Sequence, residues 1–167
     1  MNIKTLFASA AALALAGTAN ADLLITEVVD ATLPGGLPKF VELTNTGGTA
    51  VDLSLYSFGN MNNGGTTLGG GAASVLSGML APGASYVLAY EADNGPGMST
   101  FFTTYGFEPD FFMGGAFVNG DDALLLYLGA ALGDGLNATL VDVYGVVGVD
   151  GTGQTWEYTD SYAIRCN

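Results

Sequence analysis

Histidine is absent from all 167 residues. Ser-His-Asp and Cys-His nucleophile systems, histidine acid–base catalysis and most catalytic zinc sites are therefore excluded. Cysteine occurs once, as Cys166, so no disulfide forms within the chain and stability has to come from the core. An odd cysteine in an exported domain implies either an intermolecular bond or a natural chain that runs on. Basic residues are nearly missing: Lys4, Lys39 and Arg165 face 16 acidic residues. So acidic a chain is repelled by phosphates and anionic lipid, and direct nucleic-acid binding is not expected. The apolar runs are broken by Gly, Asp or Asn and fall short of the roughly 20 residues a spanning helix needs. Phosphate cradles are missing too, because the Gly69–Gly71 run sits in a loop without the lysine such a site requires.

Residues 1–21 have the layout of a secretory signal peptide. Lys4 supplies the positive start, Leu6 to Ala16 the short apolar stretch, and Ala19-Asn20-Ala21 the small-residue cleavage site before Asp22. The remainder, 22–165, is long enough for one domain with a real core. It is expected outside the cytoplasm, and its first residues lack the cysteine of a bacterial lipid anchor.

Beyond the leader, short β-rich runs alternate with turn clusters at about the 8–12-residue spacing of a sandwich. Strands are expected near Leu23–Val29, Phe40–Asn45, Ala50–Leu53, Leu55–Phe58, Ser74–Leu76, Ser85–Tyr90, Ala123–Leu128, Leu140–Val147 and Trp156–Tyr158. Val41 and Leu43 fall on one face of their strand, and Phe40, Glu42 and Thr44 on the other. Pro82-Gly83 predicts a type II turn, and Asn94-Gly95 and Asn119-Gly120 predict tight turns. Gly59 to Ala73 reads as a Gly- and Asn-rich loop too polar to pack. Ser99 to Gly106 is the one expected helix, with Ser99 as its cap and Gly106 as its stop.

Three segments in order carry a family resemblance. The first runs from Leu23-Leu24-Ile25-Thr26-Glu27-Val28-Val29 through Lys39-Phe40-Val41-Glu42-Leu43-Thr44-Asn45 to Val51-Asp52-Leu53. The second is Phe117-Val118-Asn119-Gly120-Asp121-Asp122 with the strand after it. The third joins Leu140-Val141-Asp142-Val143 to Trp156-Glu157-Tyr158 and Tyr162-Ala163-Ile164-Arg165. Together they resemble lamin-tail domains of the bacterial secreted type. The resemblance implies an all-β, immunoglobulin-like sandwich without an active site of its own. It also implies that bacterial members continue past the Tyr-x-x-Arg segment into a further strand. A chain reaching only Asn167 is then either short of a terminal edge strand or part of a longer protein.

Carboxylates are the remaining chemistry. The pairs Asp121/Asp122, Glu91/Asp93 and Glu108/Asp110 lie in or beside turns, where such side chains serve backbone hydrogen bonds. Oxygen-rich loops make Ca²⁺ the cofactor to consider, with Asp93, Asp121, Asp122 and Asp150 as candidate ligands, although none matches an EF-hand pattern. Glu27 and Glu42 occupy matching positions on two early strands. They read either as outward strand residues with Lys39 nearby or as a partner-binding face. Trp156, Tyr158 and Tyr162 read as a core edge or as a stacking platform for sugar. The expected function is that of a non-catalytic exported domain that binds, targets or scaffolds an unidentified protein or polysaccharide. The alternatives are an accessory module of a larger secreted nuclease or phosphoesterase, and a calcium-dependent carbohydrate or cell-surface binder.

Overall fold

The computed structural model describes residues 22–71, 73–115, 118–130 and 138–166. The expected signal peptide, including Ala21 at its cleavage point, lies outside these residues, as do Ala72, Phe117 and Asn167. Along the chain run β1 (Leu23–Leu33), β2 (Leu37–Asn45), β3 (Val51–Asp52), β4 (Tyr56–Met61), β5 (Ser74–Val75) and β6 (Met79–Leu80). They are followed by β7 (Ser85–Ala89), α1 (Thr100–Tyr105), β8 (Phe111–Phe112), β9 (Ala123–Leu128), β10 (Thr139–Tyr144) and β11 (Ser161–Ile164). One sheet has the order β11-β1-β2-β7-β8, a second β10-β9-β4-β5, and β3 pairs with β6 alone. The β7–β8 pairing is parallel and the other pairings are antiparallel.

Alternation explains how the two large sheets meet. Val41 and Leu43 of β2, Ile25 and Val28 of β1, and Leu88 of β7 turn inward against Phe58 of β4 and Leu124 and Leu126 of β9. Removing these side chains from water is what holds the layers face to face, at about 25 cal/mol per Å² of apolar surface. The opposite parity builds two satellites. Val29, Phe40, Val87 and Ala89 on the outer face of the five-stranded sheet pack under Phe101 of α1. Ala123, Leu125 and Tyr127 on the outer face of the other sheet pack with Leu68. The Gly59–Ala73 stretch thus differs from its expectation: Gly59 to Met61 extend β4, and Leu68 anchors the described part of the loop. Leu68 and the Asn63 N–H bond to Asp122 together tie this polar segment to β9 and the turn before it.

The turns form for the reasons expected. Gly83 takes a φ of 73° in a turn closed by Ala84 N–H donating to Ala81 O at 3.1 Å. In α1, the Ser99 hydroxyl accepts from Phe102 N–H and Gly106 closes the helix at a φ of 81°. β10 ends at Tyr144, short of the expected Val147, because Gly145 turns to a φ of 83°. Trp156–Tyr158, expected as a strand, is a turn: Glu157 N–H donates to Gln154 O and Ser161 N–H to Tyr158 O. The last strand instead begins at Ser161 and fills the edge beside β1.

Candidate functional site

Most acidic side chains are occupied by the fold's own backbone. Asp93 accepts from Gly95 N–H, and Asp150 from Thr152 N–H, each at 2.9 Å. Hydrogen bonding from the Thr152 backbone, and then from its side chain, holds the Asp150 carboxyl below its usual range. Asp122 is buried, accepting Asn63 N–H at 2.8 Å and Asn119 N–H at 3.0 Å. Burial raises its pKa even against those two bonds. Glu91 accepts from both Thr100 and Phe101 N–H and so caps α1, while Asp110 accepts from Val87 N–H. Glu108 accepts from Gly97 N–H. Each acid pair that reads as a possible catalytic couple therefore organises a turn or an element end. Among the described residues, no three His, Cys, Asp or Glu side chains converge as a metal-ion group. Asp121 comes nearest to Asp150, because its Oδ2 accepts from the Thr152 hydroxyl at 3.2 Å while its Oδ1 is buried without a partner.

The cations are occupied as well. Lys39 faces the interior, not Glu42, and lies 3.0 Å from Asp30 with both side chains buried. It also donates to Val118 O, tying the β1–β2 hairpin to the loop before β9. Gly36 in that hairpin leaves the room: a Cβ there would stand 2.5 Å from Asp30 Oδ1. Arg165 forms a clasp between the sheets. A bulge in β1 falls between Ile25 and Glu27, and Ile25, still opposite Leu43 of β2, turns its backbone N–H and C=O toward Asp142 and Arg165. Ile25 N–H then donates to Asp142 Oδ2 at 2.8 Å, while Arg165 Nε donates to Ile25 O at 2.8 Å. The guanidinium closes the circuit onto both Asp142 oxygens at 2.9 and 2.7 Å.

Two further acids without a cation beside them share the outer face of the five-stranded sheet. Glu27 and Glu42 stand opposite each other on β1 and β2. The Thr26 hydroxyl donates to Glu42 Oε1 at 2.7 Å, and the Thr44 hydroxyl lies 3.2 Å from the same oxygen. Glu27 has no hydrogen-bond donor among the described residues, and burial together with the Glu42 charge raises its pKa. Large side chains surround the pair. Tyr162 is 63% exposed and Ile164 59%, and their Cα partners on β1 are Val29 and Glu27. Tyr105 of α1, 44% exposed, stacks edge-on against Phe40 and feels the Glu27 charge. Beside Glu27 and Ile164 lies a cleft of about 140 Å³ walled by Tyr144 and Arg165. Drug-sized ligands fill roughly 300 Å³ or more, so this hollow is too small to enclose one.

Sequence reasoning reached Glu27 and Glu42 but not the aromatic rim or the clasp. Trp156, Tyr158 and Tyr162 do not form one platform: Tyr158 is buried in the core, Trp156 packs edge-on against Tyr144, and Tyr162 projects outward. Cys166 is exposed just past β11.

The described residues thus form two facing sheets whose acids largely bond the fold's own backbone. The lamin tail domain family model matches residues 16–151, and the chain belongs to that family. Membership makes it a non-catalytic immunoglobulin-like domain. No curated protein and no solved structure matches it. The clasp residue Arg165 and the strand β11 fall beyond the matched stretch.

Proposed function

We propose that this chain is an exported binding module whose outer five-stranded face recognises a positively charged partner outside the cytoplasm. The observation that carries the reading is Glu27 beside Glu42, half-buried, ringed by exposed Tyr105, Tyr162 and Ile164, with Lys39 and Arg165 both engaged elsewhere. Two like charges held together in a partly apolar setting are disfavoured until a cation arrives, so a basic partner is favoured over a neutral one. Export is supported by the leader-like residues 1–21, and no helix among the described residues is long and apolar enough to cross a membrane.

The test takes the chain as cells deliver it. Export predicts recovery outside the cytoplasm with Asp22 as the first residue; intracellular protein retaining residues 1–21 contradicts it. Retention on a polylysine surface should be salt-sensitive and should fall in the Glu27→Gln/Glu42→Gln double variant. Equal retention of both proteins would remove this face from consideration.

A second reading places a calcium ion at the junction of Asp121 and Asp150. It is favoured by the partnerless buried Oδ1 of Asp121 and by Thr152 bonding to both acids. A rise in melting temperature at millimolar calcium relative to chelator is the expected result. No rise would end this reading.

A further inference from the structure

Among the described residues the two large sheets have four edge strands, β11 and β8 in one and β10 and β5 in the other, and the two-residue strands β3 and β6 are edges of their own pair. Open edges invite pairing and are commonly blunted by shortness, bulges, proline or charge. β5 and β8 have two residues each. β10 carries a register break between Leu140 and Asp142 and a charge at the break. β11 has none of these devices: Ser161-Tyr162-Ala163-Ile164 is an unbroken run without proline, bulge or charge.

Its main chain is turned the right way. Arg165 N–H donates to Thr26 O at 2.8 Å. Antiparallel pairs alternate between bonded and non-bonded positions. The alternation therefore points Ala163 toward β1 and leaves the N–H and C=O groups of Tyr162 and Ile164 facing away from it. The same two residues present their exposed side chains on the Glu27 face.

We propose that the free edge of β11 is a strand-addition site for an extended basic segment of a partner protein. Main-chain bonds would form with Tyr162 and Ile164. A strand added there lies two spacings from β1, about 9.6 Å. A Lys or Arg of the partner crosses that gap by laying its aliphatic stem over Ile164 and bringing its charge to Glu27. Charge selects this occupant over a second copy of the chain. The copy brings no cation in its own β11, and the segment 22–167 has two basic residues against sixteen acidic ones. The inference rests on the basic-partner reading above and adds the mode of binding.

The test uses the isotope-labelled exported chain and three blocked eight-residue peptides. One alternates Lys with Val, one alternates Glu with Val, and one is the Lys-Val peptide with N-methyl groups on alternate residues of one edge. The expected result is slowed hydrogen exchange at the Tyr162 and Ile164 amides with the Lys-Val peptide only. Glu27→Gln should weaken that binding about three- to fivefold, the size of an exposed ion pair. N-methylated peptide binding as well as its parent would overturn strand addition while leaving the basic-partner reading intact. Equal binding of the Lys-Val and Glu-Val peptides would overturn the basic-partner reading and this inference with it. Protection of Tyr162 and Ile164 before any peptide is added also overturns the proposal. If it grows with protein concentration, the edge pairs with a second copy; if it does not, the chain covers its own edge.

Discussion

Glu27 and Glu42 are neighbours across β1 and β2, and burial followed by the Glu42 charge raises the Glu27 pKa above 4.5. A raised carboxyl pKa in the folded state means that ionisation works against folding. The penalty is fully present above the folded pKa and disappears as pH falls through it toward the unfolded value. Glu27→Gln should therefore match or exceed the wild-type melting temperature at pH 7, with the advantage shrinking as the buffer is taken toward pH 4. A variant less stable at pH 7 would show that Glu27 has a structural partner. Lys39 and Asp30 behave in the opposite way. Both are buried, and removing one partner strands the other's charge. Lys39→Met should cost roughly 3–5 kcal/mol, read from urea unfolding. Replacing both residues with apolar ones of similar volume should recover much of that loss.

Arg165 acts on a whole strand, because its backbone bonds Thr26 while its side chain bonds Ile25 O and Asp142. Arg165→Ala should cost about 1–3 kcal/mol, the usual penalty for buried polar groups losing their partner. The loss should be local: faster amide exchange in β11 and around Ile25, with β2 and β9 unchanged. Uniformly faster exchange would mean that the clasp holds the sandwich and not its edge. In α1 the corresponding residue is Glu91, whose two oxygens take Thr100 and Phe101 N–H. Glu91→Ala should cost about 1–2 kcal/mol and loosen Phe101 from its place over Phe40. Ser99 and Gly106 were readable as the helix ends, since capping is local in sequence. The Glu91 bond spans nine residues and is not, because loop geometry sets which acid arrives there.

Residues 22–167 carry sixteen mutually repelling acids against only Lys39 and Arg165, both of them engaged. Screening of that self-repulsion should raise the melting temperature as NaCl is added to about 0.5 M. A fall would point to the clasp, also screened by salt, as the larger effect. Strand parity in Phe40–Asn45, the existence of the strand Ala123–Leu128, the turn pairs and the helix caps were legible because each depends on residues within a few positions of one another. So was the family, whose signature is an ordered series of such short patterns. Lys39 turning inward, Leu68 folding back onto β9 and Trp156 leaving its expected strand were not legible. Each was settled by a neighbour distant in the chain, and no local spacing encodes which one. The sequence by itself determined an acidic, histidine-free β-sandwich of the lamin tail domain family. Only the tertiary structure decided that Glu27 and Glu42 face each other and that β11 is an edge strand among the described residues, because both depend on how β1, β2 and β11 come together across more than a hundred residues of chain.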